Sequence, residues 1–157
     1  MKSRKYKHGL TLLEMVIVVA IIALLATMVI NVVWRIDNQA KEKGLANIFA
    51  LLEGALQEYH QYSGNFPEQA EKDFAKAPAH SEYLYKELQS IPTSRQVLEK
   101  ISDSLIRSGP GAVNMPQICD PWGMVLDYRY VPGDNFPELI SAGPDKIFDT
   151  ADDLSSR

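Results

Sequence analysis

Leu10 to Trp34 is LTLLEMVIVVAIIALLATMVINVVW, an apolar run with a single charge, Glu14. As a helix rising about 1.5 Å per residue it is about 37 Å long, enough to cross about 30 Å of hydrocarbon. Ahead of it lies MKSRKYKHG, which carries Lys2, Arg4, Lys5 and Lys7 and no acid. Positive charge beside a spanning helix stays cytoplasmic, so the N-terminus is expected inside and everything after Arg35 outside. The 157-residue chain thus divides into a basic leader (1–9), an anchor (10–34) and one globular head (35–157).

The formal charge is -4, from 16 basic and 20 acidic residues. Loss of residues 1–9 removes four of the cations and no acid, which leaves -8. An acidic head lacks the basic footprint of a nonspecific nucleic-acid binder and is suited to cations or basic surfaces. Cys119 is the only cysteine, so no internal disulfide can staple the head. His8, His60 and His80 share no metal-ligand spacing, and no nucleophile elbow, zincin, P-loop or dinucleotide motif occurs. No catalytic constellation is present, and the chain is expected not to be an enzyme.

A cleaved secretory signal fits the N-terminus poorly, because the apolar run is too long and no A-x-A site with a polar flank ends it. A plain anchor has no reason to carry Glu14, since a carboxylate in lipid costs about 2.5–3.5 kcal/mol even on translocon-based scales. Its place, five residues after Gly9, points elsewhere. GLTLLEMVIVVAIIALLA resembles the prepilin signature shared by type IV pilins, competence pilins and type II secretion pseudopilins. That resemblance implies cleavage by a prepilin peptidase between Gly9 and Leu10, methylation of the new amine, and a requirement for Glu14 in filament assembly. Two positions depart from the pattern. Leu10 stands where phenylalanine is common, and Asn31 where a helix-kinking proline is frequent, so this helix is expected to be more continuous.

Past Trp34, Leu45, Ile48, Leu52, Ala55, Leu56 and Tyr59 recur at steps of three and four, one apolar stripe on an amphipathic helix. The helix should continue to about Tyr62 and stop at Ser63-Gly64 before Pro67. Residues 68–117 carry weaker signals. A short helix is expected over Ser81–Ser90. A second is expected from Thr93, with Gln96 completing a capping box, through Val97, Leu98, Ile101, Leu105 and Ile106, ending before Gly109. Gly123–Val131 is rich in strand formers, Pro132-Gly133-Asp134-Asn135 is a turn, and Phe136–Ser141 is a second strand. The expected fold is α+β: a long N-terminal helix, spanning in its first half and amphipathic in its second, packed on a small antiparallel sheet, the pilin fold.

The chain ends SAGPDKIFDTADDLSSR, with Asp145, Asp149, Asp152 and Asp153 close together. By composition this is a solvated acidic tail, and it lacks the ligand spacing of an EF-hand. The string DPWG at Asp120–Gly123, a tyrosine-rich strand, then SAGPD and DTADD resembles the C-terminal half of the major pseudopilins of type II secretion. The resemblance implies a calcium loop, with side-chain oxygens from Asp145, Asp152 and Asp153 and carbonyls from Ala142, Ile147 and Thr150. It also implies the function: a structural subunit of a periplasmic pseudopilus that drives protein export. The implied partners are further copies in a helical filament, the prepilin peptidase, minor pseudopilins, the inner-membrane assembly platform and the membrane itself, with no nucleic acid. The implied location is the inner membrane, single-pass, with the head periplasmic, and then an extracytoplasmic filament. The rivals are a type IV pilus or minor pilin subunit (adhesion, motility or DNA uptake) and a bitopic membrane-anchored binding protein. Glu14 and the Gly9 junction oppose the second.

Overall fold

The computed structural model describes residues 11–109 and 115–157. It divides into two compact units, Met1–Gln39 and Ala40–Arg157. The first unit holds the apolar half of helix α1 (Leu12–Ser63). Its backbone shows no break at position 31, as the missing proline predicts. Its apolar side chains are in the open: Leu12 is 82% exposed, Trp34 is 68% exposed, and Val16, Ile22, Leu25 and Val29 are exposed as well. Among the described residues α1 is the one helix long and apolar enough to cross a membrane.

In the second unit the same helix turns one face inward. Leu45, Ile48, Phe49, Leu52, Ala55 and Leu56 are buried, and Tyr59 is packed against them, so the stripe is where the spacing puts it. The helix ends because Gly64 takes a left-handed turn (φ 80°), its N–H bonds the His60 carbonyl at 2.8 Å, and the Ser63 hydroxyl donates to the Tyr59 carbonyl at 2.8 Å. Glycine pays no Cβ penalty there.

Helix α2 (Ala77–Ser90) is longer at its start than the sequence suggests, and α3 (Pro92–Leu98) is shorter. The expected Thr93–Gln96 capping box does not form: Ile91 is the cap residue, no side chain caps, and Pro92 opens the helix. Proline suits that first position, since its φ is pre-set and its missing N–H would be unpaired anyway. The helix also fails to carry Ile101, Leu105 and Ile106. After Leu98, Lys100 and Ile101 close tighter bonds to Val97 and Leu98, Asp103–Leu105 forms a 3-10 turn, and Ile106 enters a strand. Ile101 is buried all the same, at a turn rather than on a helix.

Among the described residues the strands form two small antiparallel sheets where one was expected. β1 (Ile106–Ser108) pairs with β2 (Pro116–Ile118), with Ile106 opposite Ile118. β3 (Asp127–Arg129), β4 (Glu138–Ser141) and β5 (Leu154–Ser155) form the second sheet in that order, with Tyr128 opposite Leu139 and Ser141 opposite Leu154. The strands are shorter than Gly123–Val131 and Phe136–Ser141. The expected turn lies between them, closed by Asp134 N–H to the Val131 carbonyl at 3.0 Å. Helix α2 packs on β2 and β3. Leu84 and Leu88 of α2, Ile118, Leu126, Tyr128 and Leu139 share the core with the α1 stripe. This is the α+β pilin fold.

Candidate functional site

The first candidate site is the start of α1. Gly9 and Leu10, the expected processing junction, lie outside the described residues. At Thr11 and Glu14 the geometry is explicit. The Thr11 N–H donates to Glu14 Oε2 at 2.8 Å and the Thr11 hydroxyl donates to the same oxygen at 2.9 Å. In return the Glu14 N–H donates to Thr11 Oγ1 at 3.2 Å. A threonine followed three residues later by glutamate is a capping box, which satisfies two N–H groups that a helix start leaves unpaired. Thr11 was legible in the sequence by that spacing, and the resemblance to prepilins drew attention only to Glu14. The structure also changes the energetics of Glu14. Its carboxylate is not bare, because its own helix terminus supplies two donors and a favourable dipole.

The second candidate site is the loop between β4 and β5. Asp145 Oδ1 accepts from Ile147 N–H at 2.8 Å. Asp152 Oδ2 accepts from Asp145 N–H at 3.0 Å, and Asp152 Oδ1 accepts from the Thr150 hydroxyl at 2.7 Å. These bonds hold the Asp152 carboxyl below its ordinary range, the Thr150 bond contributing most. Asp153 Oδ2 accepts from Asp149 N–H at 2.8 Å, whereas Asp153 Oδ1 is buried and has no partner. The Thr150 hydroxyl also donates to the Ile147 carbonyl at 3.1 Å. Gly143 is needed for close approach: a Cβ there would sit 2.2 Å from the Asp152 carbonyl oxygen, and its φ is 65°.

The structure therefore brings Asp145, Ile147, Thr150 and Asp152 into one hydrogen-bonded ring, next to Gly143 and hence to Ala142. It places Asp153 beside Asp149. Among the described residues no three acidic, imidazole or thiol groups converge into a ready metal cage. The donors are nevertheless the hard oxygens that calcium takes, and the orphaned Asp153 Oδ1 is a buried acceptor in want of a cation or donor. By that observation the residues fit the ion. Behind the loop, buried Asp120 anchors its first residues. Its Oδ2 accepts from the Ser141 hydroxyl at 2.6 Å, and Ser141 Oγ accepts from Gly143 N–H at 3.2 Å. The other oxygen, Oδ1, closes the DPWG turn through Trp122 and Met124 N–H groups at 3.0 and 2.8 Å.

A third group was invisible in the sequence. His80 of α2 is 4% exposed and Asp127 of β3 is fully buried. His80 Nδ1 lies 2.6 Å from Asp127 Oδ1, and Arg129 Nε donates to Asp127 Oδ2 at 2.7 Å. Asp127 thus clamps helix to sheet through both oxygens, while His80 Nε2 is buried without a hydrogen-bond partner, with Glu71 Oε2 3.8 Å away. No local pattern announces a partner 47 residues away.

A basic leader, an exposed apolar helix capped by threonine and glutamate, and a small α+β head define a prepilin-type subunit. The family model described as the prokaryotic N-terminal methylation motif matches residues 4–30. The type II secretion system core protein G of Escherichia coli (strain K12) is 30% identical over 161 residues, covering 99% of this chain and 94% of that protein. The core protein G of Klebsiella pneumoniae is 28% identical, covering 96% of this chain and 94% of its own length. That of Dickeya chrysanthemi is 30% identical, covering 96% and 86%. No solved structure gives a significant match. The chain belongs to the type II secretion system core protein G family, the major pseudopilins.

Proposed function

We propose that this chain is the structural subunit of a periplasmic pseudopilus and that its work is mechanical rather than enzymatic. It is inserted in the inner membrane with residues 1–9 in the cytoplasm and the head outside. A prepilin peptidase cuts between Gly9 and Leu10, and the new amine is methylated. Subunits then leave lipid for a helical filament built with minor pseudopilins on an inner-membrane platform, and its growth drives exported proteins outward. The observation that carries this reading is the open apolar face of α1 headed by the Thr11–Glu14 box. The methylated, still cationic amine at Leu10 of one copy and Glu14 of another are opposite charges in a medium of low dielectric, where pairing is strong and an unpaired member costly. Family membership favours this over a type IV pilus or minor pilin subunit.

We further propose that the β4–β5 loop binds calcium through Asp145, Asp152 and Asp153 with the carbonyls of Ala142, Ile147 and Thr150. Bound calcium supplies charge neutralisation and a cross-link where no disulfide exists. Asp120 and Ser141 hold the loop's entry, and Gly143 allows the Asp152 backbone to close on it.

The deciding measurement for the subunit reading is the intact mass of protein purified from its native membrane. Expected is a chain beginning at Leu10 with one added methyl group. A chain beginning at Met1, or one cut beyond Ala23, overturns the reading.

A further inference from the structure

One side chain of the acidic loop takes no part in its oxygen set. Phe148 lies between Ile147 and Asp149, and its ring stacks on Phe74 with centroids 4.5 Å apart and planes 12° apart. Phe74 begins the 3-10 turn Phe74–Lys76 that leads into α2. The Arg129 guanidinium lies 4.1 Å from the centre of the Phe74 ring. Arg129 also donates to the Lys72 carbonyl at 3.2 Å and to Asp127, which holds His80. A continuous series of contacts thus runs from the loop through Phe148, Phe74, Arg129 and Asp127 to His80 of α2.

Neither phenylalanine belongs to the apolar core, and both rings are only half-buried. The stack therefore persists only while both backbones hold their positions. On the loop side that position is costly. Lys146 and Asp149 flank Ile147-Phe148 and take left-handed backbone (φ 64° and 68°), where a side chain is disfavoured. Mutual repulsion of the loop's carboxylates adds to that cost, and a cation removes it. What favours the loop's conformation also favours the place of Phe148.

We propose that Phe148 is a latch: calcium in the acidic loop sets the order of residues 69–80 by holding the Phe148 ring on Phe74. The proposal rests on the calcium reading above. Coupling between two places is reciprocal, so a change at the Phe74 end must return to calcium affinity by the same factor. One aromatic pair corresponds to a factor of roughly two to ten.

The test uses the full chain in detergent micelles, with calcium chloride as probe and a chelator as reference. Calorimetry reports binding, and hydrogen–deuterium exchange reports order in peptides covering 69–80 and 142–153. In the wild type, calcium is expected to slow exchange in both peptides. In Phe148→Ala, calcium should bind roughly two- to tenfold more weakly. It should still protect 142–153 and no longer protect 69–80. Phe148→Leu keeps an apolar side chain in place and loses the stack, which guards against a loop that has merely collapsed. It should lose most of the protection at 69–80. Phe74→Ala should weaken calcium binding by the same factor as Phe148→Ala. Unaltered calcium-dependent protection of 69–80 in Phe148→Ala overturns the latch while leaving the metal site standing. Absence of any heat at millimolar calcium overturns the metal site, and the latch with it.

Discussion

Replacing Glu14 separates three contributions that the wild-type side chain combines. Its carboxylate accepts two hydrogen bonds from Thr11, at 2.8 and 2.9 Å, and caps the first turn of α1. Bonds to an ionised group are stronger than those between neutral groups. A carboxylate in lipid is penalised by about 2.5–3.5 kcal/mol on insertion scales. On the proposed reading the box offsets part of that penalty, so the charge is tolerated in the membrane rather than prohibitive. Glu14→Ala removes penalty, cap and charge together. Membrane insertion, read as resistance to carbonate extraction, should match or exceed the wild type, while filaments are absent from sheared cell fractions. Glu14→Gln retains an oxygen that can accept from Thr11 and loses only the charge, so it should insert like the wild type and assemble at least tenfold less. Thr11→Val keeps the charge and removes the hydroxyl on both sides of the box. A lost N-cap is worth about 0.5–2 kcal/mol, and the carboxylate is left with one donor in place of two. Insertion should fall by a few-fold, with assembly of the inserted fraction largely kept. Wild-type filament yield from Glu14→Gln would refute the claim that charge pairing draws the subunit out of lipid.

The remaining expectations concern the head. Asp127→Ala leaves His80 and Arg129 without their shared carboxylate at a fully buried site, a loss of about 3–5 kcal/mol. Scanning calorimetry of residues 40–157, a compact unit with its own core, should show melting lowered by roughly 10–20 °C; a shift within 2 °C would contradict the clamp. Calcium at a hundredfold excess over its dissociation constant should raise the same transition by an amount equivalent to about 2.7 kcal/mol. Asp153→Ala removes the orphaned oxygen and should abolish most of that rise. Asp149→Gly relieves a left-handed residue and should retain it. Loss of the calcium effect in Asp149→Gly but not in Asp153→Ala would reverse the assigned roles. Burial, together with its bond to Glu87 at 2.8 Å, pushes the Tyr59 hydroxyl up to about 12. A raised folded value stabilises the neutral form, so that contribution is intact below pH 10 and is lost as pH climbs to about 12. Burial also pushes up Tyr83 and Tyr128, so ultraviolet titration of Tyr59→Phe should lose one of several late phenolates and keep the others.

The features that depend on neighbours along the chain were legible before any coordinates. Length and composition define the apolar run from Leu10 to Trp34. Three-and-four spacing locates the buried stripe from Leu45 to Tyr59, and Ser63-Gly64 and Pro132–Asn135 mark a helix end and a turn. The Thr11–Glu14 box is equally local. Other features required distant partners. Val97, Leu98, Ile101, Leu105 and Ile106 are spaced as one helix, yet Ile106 gains more by pairing opposite Ile118 in β1–β2, so the helix stops at Leu98. On β3, alternation assigns Asp127 and Arg129 to one face and Tyr128 to the other, which suggests that one face meets water. Asp127 and Tyr128 are nevertheless both buried, because α2 covers the side where His80 meets Asp127, while the Tyr128 hydroxyl finds the Pro67 carbonyl at 2.7 Å on the other. An aspartate can be a solvated strand residue or the centre of a buried clamp. Its own sequence neighbourhood is the same in both cases, and only the packing of a helix 47 residues away decides which it becomes.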